Sequence, residues 1–163
     1  MTRFLQFILG FILALLIAST SFAQNGLEAP NETFPERPDL AINDIAGHWE
    51  IEVIDRPDHA FKGTATIPYT KGDSKRGVAE TITEDKCCGG NHARVLQDSL
   101  VTIEDGEITV DSTIVRYLLR IEPVAMGYSP DDFALKWADE NTLIGTANGY
   151  LPVRWIRGEV NIS

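Results

Sequence analysis

The sequence predicts an all-β protein, folded as an antiparallel up-and-down barrel of about eight strands. Three observations carry that expectation. From Gly47 to Arg157 most runs alternate apolar and polar residues with a period of two, the pattern of half-buried strands. These runs are short and are separated by turn chemistry built on Pro, Gly, Asp and Asn. No long helical pattern lies between them, so parallel pairing through crossovers is disfavoured. Closing such a meander removes its exposed edges, which makes a barrel the economical arrangement; a two-sheet sandwich is the alternative.

In order, Asp39 to Ala46 reads as one short helical turn with Asp39 as its N-cap. The first strand follows: Trp49, Ile51 and Val53 alternate with His48, Glu50 and Glu52. Asp55-Arg56-Pro57-Asp58 is a turn. Phe61 to Ile67 then places Phe61, Gly63, Ala65 and Ile67 on one face. Lys71-Gly72-Asp73 turns the chain into a weaker strand, Gly77 to Thr83, and Asp85 to Asn91 is a loop. Arg94–Glu104 and Glu107–Ile114 flank Asp105-Gly106, a pair suited to a type I′ turn. A two-residue loop there pairs Ile103 with Ile108 and Val101 with Val110 on one face, so register and hydrophobic pattern agree. Thr113 to Glu122 fits a short helix or a strand; its β-branched start and Pro123 favour the strand. Phe133, Leu135 and Trp137 alternate next, Asp139-Glu140-Asn141 is a hairpin loop with Asn141 suited to positive φ, and Thr142 to Asn148 returns. Gly149-Tyr150 turns into the last strand, Val153 to Arg157, for eight or nine strands in all.

The N-terminus is a targeting segment. Arg3 precedes an apolar run, Phe4 to Ile17, and Ser21-Phe22-Ala23 puts small residues at the −3 and −1 positions of a cleavage site. A signal peptide over residues 1–23 implies a periplasmic or secreted protein with no membrane span in its mature form. Gln24 to Pro38, with three prolines and no apolar periodicity, is a flexible tether, and residues 39–163 form one domain. Removing residues 1–23 leaves 140 residues and takes away only Arg3, so the charge goes from −10 to −11. An acidic protein of this kind is a poor partner for nucleic acid or anionic membrane.

A turn-like lead-in followed by Gly47-x-Trp49 at the first strand resembles the lipocalin-like (calycin) superfamily of small secreted barrels. The resemblance implies that Trp49 packs at a closed barrel end under a basic side chain from the last strand, Arg157 or else Arg154. The first inter-strand loop, Asp55 to Ala60, is shorter than the usual lid. No Thr-Asp-Tyr motif occurs, and no long helix follows the last strand. Those departures favour a compact bacterial-type relative.

Candidate chemistry is sparse. Cys87 and Cys88 are adjacent, next to Gly89-Gly90-Asn91-His92, in a chain bound for an oxidising compartment. A vicinal disulfide there would be strained, because adjacent Cα atoms lie about 3.8 Å apart whereas disulfides span about 4.4–6.8 Å. Free thiols, an intermolecular bridge, or metal ligation with His92 are the alternatives. His48 and His59 have no nucleophile in a recognisable setting, and no metal or phosphate-loop motif is present. The acid pairs Glu84/Asp85, Asp131/Asp132 and Asp139/Glu140 all read as turn residues. The expectation is therefore not an enzyme, with no catalytic residue, cofactor or metal.

The barrel interior is the remaining candidate site. Trp49, Ile51, Phe61, Ala65, Val101, Ile103, Ile108, Val110, Phe133, Leu135 and Trp137 share predicted inward faces and would line a cavity for one small apolar ligand. Gly63, Ala65, Gly145 and Ala147 would leave it room; equally, large side chains from opposite strands would fill that room. The alternative function is a protein-binding module, such as an inhibitor of a secreted protease acting through Gln24 to Pro38.

Overall fold

The computed structural model describes residues 34–54, 60–123 and 127–158, with Cys88 described by its backbone alone. The expected signal peptide, the tether up to residue 33, the Asp55–Asp58 turn, His59 and the Cys88 side chain lie outside the described residues. A short helix α1 (Ile42–Ile45) leads into eight strands: β1 (Gly47–Val53), β2 (Lys62–Ile67), β3 (Arg76–Lys86), β4 (His92–Glu104), β5 (Glu107–Ile121), β6 (Phe133–Asp139), β7 (Thr142–Ala147) and β8 (Leu151–Arg157). Each strand runs antiparallel to the next, and β8 pairs back onto β1, closing the barrel. An eight-stranded closed meander of this kind is compatible with a lipocalin-like fold. No described helix is long and apolar enough to cross a membrane.

The β4–β5 hairpin has the register that its hydrophobic pattern requires: Ile103 faces Ile108 and Val101 faces Val110. Its turn takes positive φ at both central residues, 50° at Asp105 and 80° at Gly106, as a type I′ turn does. Several other boundaries depart from the pattern in instructive ways, while β1, the end of β2 and the start of β7 fall where it puts them. Thr113–Glu122 is not a separate element; it continues β5 as far as Ile121, which settles the strand count at eight. β3 runs on to Lys86 and β4 begins at His92, so Glu84 and Asp85 sit on a strand and not in a turn. A 3₁₀ turn over Cys88–Gly90 joins the two strands. The last hairpin turns at Asn148-Gly149, with φ of 53° and 74°, one residue earlier than expected; Asn-Gly is itself a type I′ pair. Asn141 is not among the described residues with positive φ; the Asp139 carboxylate instead accepts its N–H at 2.8 Å. The N-cap of α1 is Ala41, whose N–H donates to Asp44 at 2.8 Å, while Asp39 pairs with Arg37 at 3.0 Å.

One barrel end is shut by α1. Leu40, Ile42 and Ile45 are fully buried and join the interior cluster. Asn43 ties the β2–β3 connection to the helix, donating to the carbonyls of Thr70 (3.1 Å) and Gly72 (2.9 Å) and accepting from the Thr70 N–H (2.8 Å). Lys75 Nζ donates to the carbonyls of Pro38 and Leu40. Removing a side chain that satisfies three backbone groups is expected to matter. Asn43→Ala should lower the unfolding free energy by about 1–2 kcal/mol, with an unchanged m-value in urea.

The opposite end is built differently. β5 pairs with β6 only from Glu107 to Val110; beyond that, Asp111–Ile121 departs from β6. Residues 127–132 accompany it there. The Ser112 N–H donates to Asp132 at 2.7 Å, and the Tyr117 and Tyr128 rings meet edge to face at 6.4 Å.

Candidate functional site

Three of the residues singled out for structure meet at the closed end. Trp49 is fully buried and its indole N–H donates to the Ile45 carbonyl at 2.9 Å, locking β1 to α1. The Arg157 guanidinium lies over the Trp49 ring, 4.4 Å from its centroid, and donates to the carbonyls of Ala46 (2.7 Å), Asp44 (2.9 Å) and Glu140 (2.9 Å). Gly47 has φ of 135°, and a Cβ there would stand 2.8 Å from the Arg157 Nη1, so the residue before the buried Trp is held to glycine by both conformation and space. Arg154 does not join this group; it bonds Glu52 at 2.6 Å on the outside.

The eleven residues expected to line a ligand cavity all lie in one buried hydrophobic cluster, together with Val153 and the fully buried Trp155. Phe133 and Trp155 pack edge to face at 5.1 Å. The glycines expected to leave room have none to give: a Cβ on Gly63 would lie 2.6 Å from the Ile82 carbonyl oxygen and one on Gly145 only 1.9 Å from that of Ala134. Their role is close approach of neighbouring strands, a common reason for glycine inside a sheet.

The open half of the barrel holds a polar network that the pattern of turns and acids did not reveal. Its centre is Asp131, only 3% exposed. Asp131 Oδ2 accepts from the Thr83 hydroxyl at 2.5 Å, the Tyr128 hydroxyl at 2.7 Å and Gln97 Nε2 at 3.4 Å. Its Oδ1 accepts from Asn148 Nδ2 at 3.1 Å, and its N–H donates to Gln97 Oε1 at 2.9 Å. Asp132 continues the tie: its N–H donates to Asn148 Oδ1 at 3.0 Å, and its carboxylate holds Ser112. Ser99 and Ser112 share a hydrogen bond at 2.9 Å. Thus Asp131 is no solvated turn residue, although Asp132 beside it is exposed. The pair joins β3, β4, β5 and the β7–β8 turn across a gap in the sheet. A buried carboxylate is tolerated because donors from several elements converge on it.

Beside this network lies a cavity of about 310 Å³ at the barrel mouth, lined by Asp131, Tyr128, His92, Ala93, Ile121, Tyr150 and the Cys87 loop among others. None of the eleven interior residues lines it. Cys87 is exposed at its edge. His92 hydrogen-bonds Glu84 at 2.8 Å, and that bond, with help from Lys62 and Lys86 and against the opposing effect of burial, holds the Glu84 carboxyl below its ordinary range. This contribution to stability is present above the ordinary glutamate value and is lost as pH falls through the depressed one. Among the described residues no group of three or more His, Cys, Asp or Glu side chains gathers as a metal site needs. His48 lies elsewhere, half-buried on β1 with its ring nitrogen 3.2 Å from the Thr66 hydroxyl.

Burial, and next the Asp131 carboxylate, push the Tyr128 hydroxyl well above the ordinary phenol value. The folded protein thus holds this proton more tightly than the unfolded chain does. Stability from the neutral phenol is fully present below the unfolded value near 10 and is lost as pH rises above it. Urea unfolding measured from pH 8 to 11 is expected to show stability falling above about pH 10, and Tyr128→Phe should flatten that fall.

Chemically, the arrangement offers one buried, well hydrogen-bonded carboxylate beside a mixed apolar and aromatic cavity, held largely by side chains of the strands. That suits ligand recognition. Comparison of the chain with known protein families and with curated proteins returns no match.

Proposed function

We propose that this chain is an extracytoplasmic, lipocalin-like barrel of the calycin type that binds one small molecule at its open end. The observation that carries this reading is the cavity of about 310 Å³ next to the Asp131 network, a size within the range of small-molecule pockets. Convergent polar groups at the base of a partly apolar pocket are what orient a ligand. Arg3, the Phe4–Ile17 run and Ser21-Phe22-Ala23 support export. Gly47, Trp49 and Arg157 at the closed end support the calycin likeness. The expected small apolar ligand becomes, at this site, a molecule with an apolar body and a polar group, since Ala93, Ile121 and two tyrosines share the lining with Asp131.

The reading of a protease inhibitor acting through Gln24–Pro38 draws no comparable support. Where the segment is described, Arg37 stacks 5.2 Å from the Trp137 ring centroid and pairs with Asp39.

Native mass spectrometry of the protein purified without denaturation from the cells that make it tests the proposal. A bound small molecule is expected in the natural protein and its loss is expected in Ala93→Phe, which fills the mouth. Undiminished occupancy in Ala93→Phe would contradict a mouth site.

A further inference from the structure

We infer that the mouth cavity takes a small organic cation: an amine on an apolar or aromatic body, its ammonium group seated on Asp131. This rests on the reading of the cavity as a small-molecule site and names the ligand class.

The charge around the cavity points that way. Asp85 from β3, Glu122 after β5 and Asp131 before β6 all line it, and they do not gather closely enough to hold a metal ion. Among the described residues, His92 of the lining is on Glu84 at 2.8 Å, and Arg120 is on Glu122 at 2.8 Å while stacking over Tyr117. Among the described residues, the donors that Asp131 accepts from are neutral: the hydroxyls of Thr83 and Tyr128 and the amides of Gln97 and Asn148. Neutral dipoles stabilise the carboxylate without cancelling its charge. In a partly desolvated pocket that charge attracts a cation far more strongly than it would in water.

Acceptor capacity is also present. Among the described donors only Asn148 Nδ2 reaches Oδ1, at 3.1 Å, and that oxygen has a second lone pair. An ammonium N–H is the complement of that second position, and a charge-assisted bond there is stronger than one from an alcohol. The walls suit the rest of such a molecule: Ile121 and Ala93 are apolar, and Tyr128 and Tyr150 offer aromatic surface that favours cations. The net charge of −10 draws cations towards the protein and repels anions.

The test is isothermal titration at pH 7 with three probes of one shape: benzylamine, benzyl alcohol and benzoate. Benzylamine should bind at least about tenfold more tightly than benzyl alcohol, the effect of one charge-assisted hydrogen bond, and benzoate should give no binding. Asp131→Asn, checked for folding by circular dichroism, should erase most of the amine preference while alcohol binding persists. Glu122→Gln should change it by less than about threefold. The amine-to-alcohol comparison in the natural protein needs no variant. If the alcohol binds as well as the amine and Ala93→Phe abolishes both, the cation is overturned and the mouth site stands. If Ala93→Phe leaves binding of all probes unchanged, the mouth site itself is overturned. Absence of benzylamine binding overturns the cation assignment.

Discussion

Trp49→Ala should lower the unfolding free energy by about 3–5 kcal/mol, the usual cost of truncating a fully buried aromatic side chain. Three losses coincide at this position. The ring leaves a void in a cluster that includes Ile45, Ile51 and Trp155. The indole bond to the Ile45 carbonyl disappears, freeing α1 from β1. Arg157 loses the aromatic surface it covers, although its three carbonyl acceptors remain. Typical domains are stable by only about 5–15 kcal/mol, so this one substitution is expected to leave a barrel that unfolds at low urea or fails to accumulate. Equilibrium urea unfolding measures it, and a loss below about 1.5 kcal/mol would show that the ring does not lock the closed end.

The second large effect is expected at the other end. Asp131→Ala removes the acceptor on which Thr83, Gln97, Tyr128 and Asn148 converge. Each buried donor left without an acceptor costs about 1–3 kcal/mol, but Thr83 still accepts from Gln97 at 3.0 Å, and water from the adjoining cavity can serve others. A net loss of about 2–4 kcal/mol follows. Asp131→Asn keeps the shape and half of the acceptor capacity, and should cost less than half as much in the same urea measurement. Equal losses for the two substitutions would mean that packing, not hydrogen bonding, holds the loop before β6.

These two ends differ in how plainly the sequence announces them. The closed end is legible because its parts obey the ordinary alternation: Trp49, Ile51 and Val53 point inward, and Gly47 and Arg157 flank them. The β4–β5 hairpin is legible for the same reason, since Asp105-Gly106 and the Ile and Val pattern demand one register. The open end inverts the rule. On β3 and β4 the buried, inward residues include the polar Thr81, Thr83, Gln97 and Ser99 among the apolar Ala79, Ala93 and Val95, whereas Val78 and Leu100 face solvent. Read by hydrophobicity, such a strand looks weak or turned over, and an acid pair such as Asp131/Asp132 looks like a turn. Nothing local distinguishes a buried Asp from an exposed one; its four donors come from positions 3 to 48 residues away. A signal did exist: polar residues at the inward parity of strands whose other inward residues are apolar. The glycines misled in a related way, because a missing Cβ marks free space or close backbone approach alike, and Gly63 and Gly145 serve the second.

The central claim is that ligand recognition belongs to the mouth beside Asp131 and not to the apolar interior. A ¹H–¹⁵N correlation spectrum of the natural protein titrated with benzylamine tests it most directly. The amides of Ala93, Tyr128, Asp131 and Asn148 are expected to shift saturably, while those of Ile51, Val101 and Ile108 stay in place. Shifts concentrated on Ile51, Val101 and Ile108, with the mouth unmoved, would contradict it.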